Sequence, residues 1–344
     1  MRERLRRPRD ARIARLPGGR FVCGPVAALM ASEGPALHVM AGVLRDAGGR
    51  VLLAQRGGDD ALAGLWEFPG GKCEPGEAPA TALGRELAEE LGVRVEAAEP
   101  LLRVPWRQPG RALLLDAWSV QRWSGDPVGR EGQALRWVEA DALPAIAMPP
   151  ADRPIATALR MPRQMMVTAE PGADAAAFLR GIGRALAAGV RLVQLRAKRL
   201  DAAALRPLAA AVLAVARPCA ARVLLNGDPA LALELGLDGV HLPAAALPAA
   251  RPLPAGLLCG ASCHDAAELA RAVAAGLDYA VLGPVAATAT HPDAVPLGWD
   301  RVAALLEDVP LPVYLIGGLG PADLARARAT GAYGIAAIRA WAAV

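Results

Sequence analysis

The chain has 344 residues, enough for two domains with substantial cores, and its net charge of only +4 argues against a nucleic-acid binder. Its 54% hydrophobic content and mean hydropathy of +0.28 would suit a membrane protein, but the excess is mostly alanine. No 18-residue run is free of charges or helix breakers, so no membrane span is expected. Five cysteines at irregular spacing make no disulfide framework, and Cys259 and Cys263 lack partner ligands for zinc, so a reducing cytoplasm is the expected compartment.

Residues 1–36 open with MRERLRRPRDARIARLPGGR, a basic arm that lacks the apolar core of a secretory signal and is expected to be a disordered extension. Next come LHVMAGVLR and RVLLAQR, two strand-like runs separated by DAGG, a hairpin signal. Residues 70–93, GGKCEPGEAPATALGRELAEELGV, predict a helix that starts at Pro79 and stops at Gly92. Leu83, Leu87 and Leu91 form its buried stripe, and Glu86, Glu89 and Glu90 share an adjacent arc. Glu86 and Glu90, four residues apart, repel unless a positive partner sits beside them. Carboxylates grouped on a rigid scaffold suit a hard divalent cation such as Mg²⁺. Glu77, just ahead of the helix, is either part of that set or a carboxylate stabilised by the helix dipole.

RALLLDAWSV and LRWVEADALP are further strand candidates, and Trp118, Trp123 and Trp137 read as core or pocket wall. From Met165 the pattern changes to strands alternating with Ala/Leu-rich helices: MMVTA, RLVQLR, RVLLN, GVHL, LLCGAS, YAVLGP, PVYLIGG and GIAAI. Eight such units imply a (β/α)₈ TIM barrel over residues 165–344, with functional residues at the strand C-terminal ends. Gln194, Arg196 and Lys198 end the second strand, Asn226 the third, Ser262 and His264 the fifth, and Gly317 and Gly318 the seventh. The two glycines can offer backbone N–H groups to phosphate. His241, His264 and His291 all fall near these ends. The chain's only lysines, Lys72 and Lys198, both lie inside these motifs.

Residues 71–93 resemble the Nudix box at every defined position: Gly71, Glu77, Arg85, Glu86, Leu87, Glu89, Glu90, Gly92 and Val93. The resemblance implies an α/β/α sandwich over residues 37–160 and Mg²⁺- or Mn²⁺-dependent hydrolysis of a nucleoside diphosphate linked to another group. LWEFPGGK, SGDPVGREGQALRWV and MPPADRPI extend it to the MutT-type enzymes that act on oxidised guanine nucleotides. Carried over residue by residue, it implies metal ligands at Glu86, Glu89, Glu90, Glu131 and the Gly70 carbonyl. It also implies an orienting Arg85, a general base at Glu86 or Glu131, and Lys72 at the phosphates. Arg56 and Phe68 would line the base pocket, and Asp152 stands where those enzymes carry the base-reading Asn. The implied substrate is an oxidised purine nucleotide, 8-oxo-dGTP.

VQLRAK, GASCHDAAEL, GPVAATATHPDAVPLG and PVYLIGGL resemble the thiamine phosphate synthase and TenI-like thiazole tautomerase family. That resemblance implies phosphate-ligand binding by Gln194, Arg196, Lys198, Asn226, Thr288, Thr290, Gly317 and Gly318. Gly227 and Pro243 stand where the synthase has metal-site features, and His291 replaces a phosphate-binding lysine. The tautomerase branch fits better, with His264 as the proton shuttle and a thiazole phosphate as the ligand. Two alternatives stay open: a thiamine-pathway enzyme whose Nudix half removes pathway diphosphates, or a barrel that serves only as a phosphate-binding or homodimerisation module.

Overall fold

The computed structural model describes residues 36–108, 111–247, 253–254, 256–288 and 293–341. The basic arm up to residue 35, Thr290 and His291 lie outside the described residues.

The N-terminal half runs β1 (Leu37–Leu44), β2 (Val51–Gln55), β3 (Trp66–Glu67), α1 (Pro79–Leu91), β4 (Arg94–Gln108), β5 (Arg111–Ser124) and β6 (Leu135–Val138). Two 3₁₀ turns, Ala140–Ala145 and Pro150–Asp152, lead into α2 (Arg153–Ala158). The strands make two three-stranded sheets, ordered β1-β5-β4 and β3-β2-β6. Alternation along the strands divides their side chains between two cores. Met40, Leu44 and Leu52 meet the Leu83, Leu87 and Leu91 stripe of α1, while Ala41, Val43, Val51 and Leu53 face Ile155 and Ala156 of α2. The helix boundaries follow the sequence signals, with Pro79 in its first turn and Gly92 closing it at φ 72°.

The hairpin expected between β1 and β2 does not form. The DAGG turn is present, with Asp46 accepting from the Gly48 and Arg50 amides, but only an Arg45–Val51 bridge joins the two strands. β1 pairs in parallel with β5 along Leu37–Leu44. Its other edge is taken by the segment entering the box: Met40 N–H donates to Gly71 O, Gly42 N–H to Pro69 O, and Cys73 N–H to His38 O. The edge a hairpin would have used therefore positions the glycine turn ahead of α1. β4 carried no strand signal in the sequence because it contains Pro100 and Pro105. It lies at a sheet edge, where missing donors are tolerated, and its register shifts between Pro100 and Leu102.

The C-terminal half is the expected closed parallel barrel: β7 (Gln164–Val167), β8 (Leu192–Leu195), β9 (Arg222–Asn226), β10 (Gly239–Leu242), β11 (Leu258–Cys263), β12 (Tyr279–Leu282), β13 (Val313–Leu315) and β14 (Gly334–Ala337). Helices α3 (Ala175–Ala187), α4 (Ala202–Ala216) and α5 (Pro229–Glu234) follow β7, β8 and β9. After β11, β12 and β13 come α6 (Ala266–Ala274), α7 (Trp299–Leu306) and α8 (Leu324–Ala329). β10 is followed instead by a 3₁₀ turn, Ala244–Ala246. By length and composition α4 with its trailing 3₁₀ turn could cross a membrane. Its buried face, Leu205, Ala209, Val212 and Ala216, packs with the outward side chains of the barrel strands instead.

The barrel's N-terminal end is closed by the chain that enters it. Tyr333 Oη donates to Ala158 O at 2.6 Å and also contacts Met161 O. Arg45 reaches Leu159 O, Arg222 reaches Arg160 O, and Tyr314 Oη donates to Pro162 O. Each carbonyl from Ala158 to Pro162 thus has a side-chain donor. The three tyrosines of the chain stack edge to face inside the barrel, Tyr279 on Tyr314 at 5.9 Å and Tyr314 on Tyr333 at 5.6 Å. Arg163 lies over the Tyr333 ring at 4.4 Å and donates to Tyr333 O.

Candidate active sites

The first site is built on α1 and the glycine turn. Gly70 has φ 146°, and a Cβ there would lie 2.2 Å from Met40 O. A Cβ on Gly71 would lie 2.1 Å from Glu86 Oε2, so a side chain here would displace the glutamate. Arg85 forks between carboxylates, donating to Glu77 at 2.9 and 3.1 Å, to Glu86 at 2.7 Å and to Glu89 at 3.4 Å. A further bond to Lys72 O ties the fork to the turn. The Arg85 hydrogen bond holds the Glu77 carboxyl below its ordinary range. Glu77 lies just ahead of the Ala78 N-cap of α1 and engages Arg85 and the Glu74 amide.

Glu90 points the other way. Its Oε2 accepts from Gly70 N–H at 2.7 Å, and Gln133 Nε2 reaches its Oε1 at 3.3 Å. Burial raises its carboxyl to about 7, with smaller upward pushes from Glu67 and Glu131. Glu131 is exposed, and Gln133 Oε1 accepts from its N–H. Lys72 lines an adjoining cleft with His38, Glu74 and Glu77.

From Glu90 the acidic line continues through Glu67 to Asp152. Burial raises Glu67 above its ordinary range, and Arg56 at 3.1 Å opposes that shift. Arg56 also pairs with Asp60 at 3.0 Å, and its Nε is buried with no hydrogen bond. Asp152 is 5% exposed, and its Oδ1 accepts from Phe68 N–H at 3.1 Å. Burial pushes its carboxyl to about 8, so it is mostly protonated at neutral pH. The Phe68 ring belongs to the core, and its backbone N–H donates to Asp152. Glu67 and Gln133 were not marked by the sequence reading. The only available signal was their place next to motif residues, since their roles depend on contacts between separate elements.

The second site is the C-terminal mouth of the barrel. Gln194 is buried on β8, Arg196 half-buried and Lys198 exposed, and Asn226 closes β9 half-buried. Gly317 and Gly318 follow β13 with φ 103° and 68°, close against Pro284 and Ala286 of the loop after β12. Thr288 lies on that same loop. His264 is exposed after β11, its Nδ1 2.7 Å from Glu268 Oε2, which also accepts from the His264 amide. His241 is 1% exposed inside the barrel, between Tyr279 Oη at 3.0 Å and Ser262 Oγ at 2.9 Å. Burial, assisted by the Lys198 charge, pushes its pKa down to about 3, so it stays neutral.

Family models match both halves: NUDIX domain over residues 40–158 and Thiamine monophosphate synthase over residues 165–341. The chain belongs to both families. Its Nudix half is 36% identical over 124 residues to an 8-oxo-dGTP diphosphatase of Escherichia coli, covering 36% of this chain and 96% of that protein. It is 40% identical over 120 residues to a CTP pyrophosphohydrolase of the same organism, covering 35% and 87%. The barrel is 40% identical over 158 residues to a thiamine-phosphate synthase of Herpetosiphon aurantiacus, covering 45% and 76%.

Nudix hydrolases generally use divalent metals such as Mg²⁺, and the donor chemistry of this box fits one. Glu86, Glu89, Glu90 and Glu131 offer only oxygen ligands, and Glu90 is a half-buried carboxylate that a cation would hold ionised. Among the described residues, no three His, Cys, Asp or Glu side chains converge as they stand. Glu86 faces Arg85, and Glu90 accepts from Gly70 N–H.

Proposed function

We propose that the Nudix half is a Mg²⁺- or Mn²⁺-dependent nucleoside triphosphate pyrophosphohydrolase that converts 8-oxo-dGTP and water to 8-oxo-dGMP and pyrophosphate. The geometry around Arg85 carries this: one guanidinium steadies Glu77, Glu86 and Glu89, while Glu90 is presented deeper, on the Gly70 amide. Glu86, Glu89, Glu90, Glu131 and the Gly70 carbonyl would hold the metal, which supplies charge neutralisation at the triphosphate and a more acidic attacking water. Glu86 or Glu131 takes the proton of that water, and Lys72 steadies the phosphates. In the base pocket, the protonated Asp152 can donate to guanine O6 and accept from N1–H.

The same neutral carboxyl also complements N3 and N4–H₂ of cytosine, which supports a cytidine triphosphate as the second reading. A panel of 8-oxo-dGTP, dGTP, CTP and thiamine diphosphate analogues, assayed with Mg²⁺, Mn²⁺ and chelator, tests both. The highest kcat/KM is expected for 8-oxo-dGTP; CTP at the top would establish the second reading, and a thiamine diphosphate analogue at the top would replace both.

The barrel is proposed to bind a phosphate-bearing thiazole and isomerise it, with His264 moving the proton and Glu268 orienting its ring. Isomerisation of a thiazole phosphate carboxylate followed by NMR is expected to stop in His264→Ala. Binding without exchange in the wild type would leave a binding module.

A further inference from the structure

One carboxylate at the barrel mouth is tied to the cation most suited to a diphosphate. Thr168, fully buried just beyond β7, fixes the loop after β8: its Oγ1 accepts from Arg196 N–H at 2.9 Å, and its own N–H donates to Gln194 O. This delivers Glu170 alongside that loop. Glu170 Oε1 accepts from Arg199 N–H at 2.8 Å, and Oε2 accepts from Arg196 Nη1 at 3.3 Å. A backbone donor therefore anchors the carboxylate, unlike an exposed ion pair between two mobile side chains. Arg196 and Glu170 are each about one-fifth exposed. Lys198, two residues on, is exposed and has no ion pair among the described residues, and its charge is felt by His241 inside the barrel. Other charged groups on the loops after the barrel strands include the Arg199 side chain, Asp201, Asp228, Arg339 and the His264–Glu268 pair.

We propose that Glu170 is a specificity-determining residue of the barrel: by holding Arg196 it leaves Lys198 as the working cation, so the mouth takes a monophosphate and disfavours a diphosphate. The inference rests on the phosphate-binding reading of the barrel given above. Its reason is charge. A guanidinium free to fork over two phosphates is the natural partner of a diphosphate. Here Nη1 of that fork already faces the Glu170 carboxylate, and the added negative charge of a second phosphate would approach Glu170 itself. The repulsion grows with ligand charge, so it weighs more on pyrophosphate than on phosphate.

The test is calorimetry on the full chain in chelator, with inorganic phosphate and pyrophosphate as probes. Glu170→Gln keeps an oxygen for Arg199 N–H and removes only the charge. It is expected to tighten pyrophosphate by about tenfold and phosphate by about threefold, with an unchanged Tm. Lys198→Ala is expected to weaken both, assigning the signal to the barrel. An unchanged ratio of the two affinities in Glu170→Gln, with phosphate still bound, overturns the role of Glu170 alone. Absence of both anions from every variant removes the phosphate-binding reading and the proposal with it. If Glu170→Gln loses stability, Glu170→Asp, with a carboxylate one methylene shorter, is read instead. A shift toward pyrophosphate in that variant supports the role, and no shift overturns it.

Discussion

Replacing Asp152 by asparagine is expected to stabilise the protein increasingly as the pH rises. Asp152 is 5% exposed and burial lifts its pKa from an ordinary 3.8 to about 8. Between those values the folded protein keeps a proton that the unfolded chain has released. Folding therefore takes up a proton, and stability falls as pH rises through that window. Each pH unit costs ~1.4 kcal/mol, so the wild type loses up to ~4 kcal/mol from this group between about pH 4 and pH 7, and the loss levels off above about pH 8. Asparagine has nearly the same shape, keeps an oxygen for the Phe68 amide and does not ionise. Urea unfolding of the two proteins from about pH 4.5 to pH 8.5 should give curves that converge at the acid end and separate by several kcal/mol at the alkaline end. Glu90, raised to about 7, is present in both and cancels in the comparison. Parallel curves across the window would show that Asp152 is ionised where it sits, and the neutral base-pocket carboxyl would have to be abandoned.

Asp152→Ala should lower kcat/KM for the preferred nucleotide by roughly 1–3 kcal/mol, because the base edge loses its partner; an equal loss for every nucleotide tested would take Asp152 out of recognition. Glu90→Gln should abolish metal-dependent hydrolysis while Tm without metal holds or rises, since a half-buried carboxylate and its repulsion with Glu67 and Glu131 are removed; near wild-type turnover would refute the metal site. Tyr333→Phe should destabilise the whole chain by about 1–3 kcal/mol, since the Ala158 and Met161 carbonyls lose their side-chain donor; chemical denaturation that leaves the barrel unaffected would show that the floor contacts do not matter. Glu268→Gln should slow thiazole exchange, because the carboxylate 2.7 Å from His264 Nδ1 orients the ring; exchange at the wild-type rate would separate Glu268 from the proton transfer.

What could be read from the sequence was whatever backbone geometry repeats. The spacing of Leu83, Leu87 and Leu91, the Pro79 start and the Gly92 stop describe α1 wherever it packs, and the common arc of Glu86, Glu89 and Glu90 follows from the same period. The eight barrel strands were legible for a similar reason, each being a short apolar run bounded by turn residues and helix. What the tertiary structure decided is everything that depends on which surfaces meet. β1 has no free edge for β2 because Pro69–Cys73 occupies it, and β4 survives two prolines only because it lies at an edge. Asp152 is pushed toward its protonated form because the surrounding core excludes water from it, against the opposing hydrogen bond from an amide 84 positions away. The Arg196 that reads as a phosphate ligand in VQLRAK is held by Glu170, delivered from the neighbouring strand. Residue spacing sets periodicity along one element, whereas burial, charge state and ion pairing are set by contacts between elements far apart in the chain.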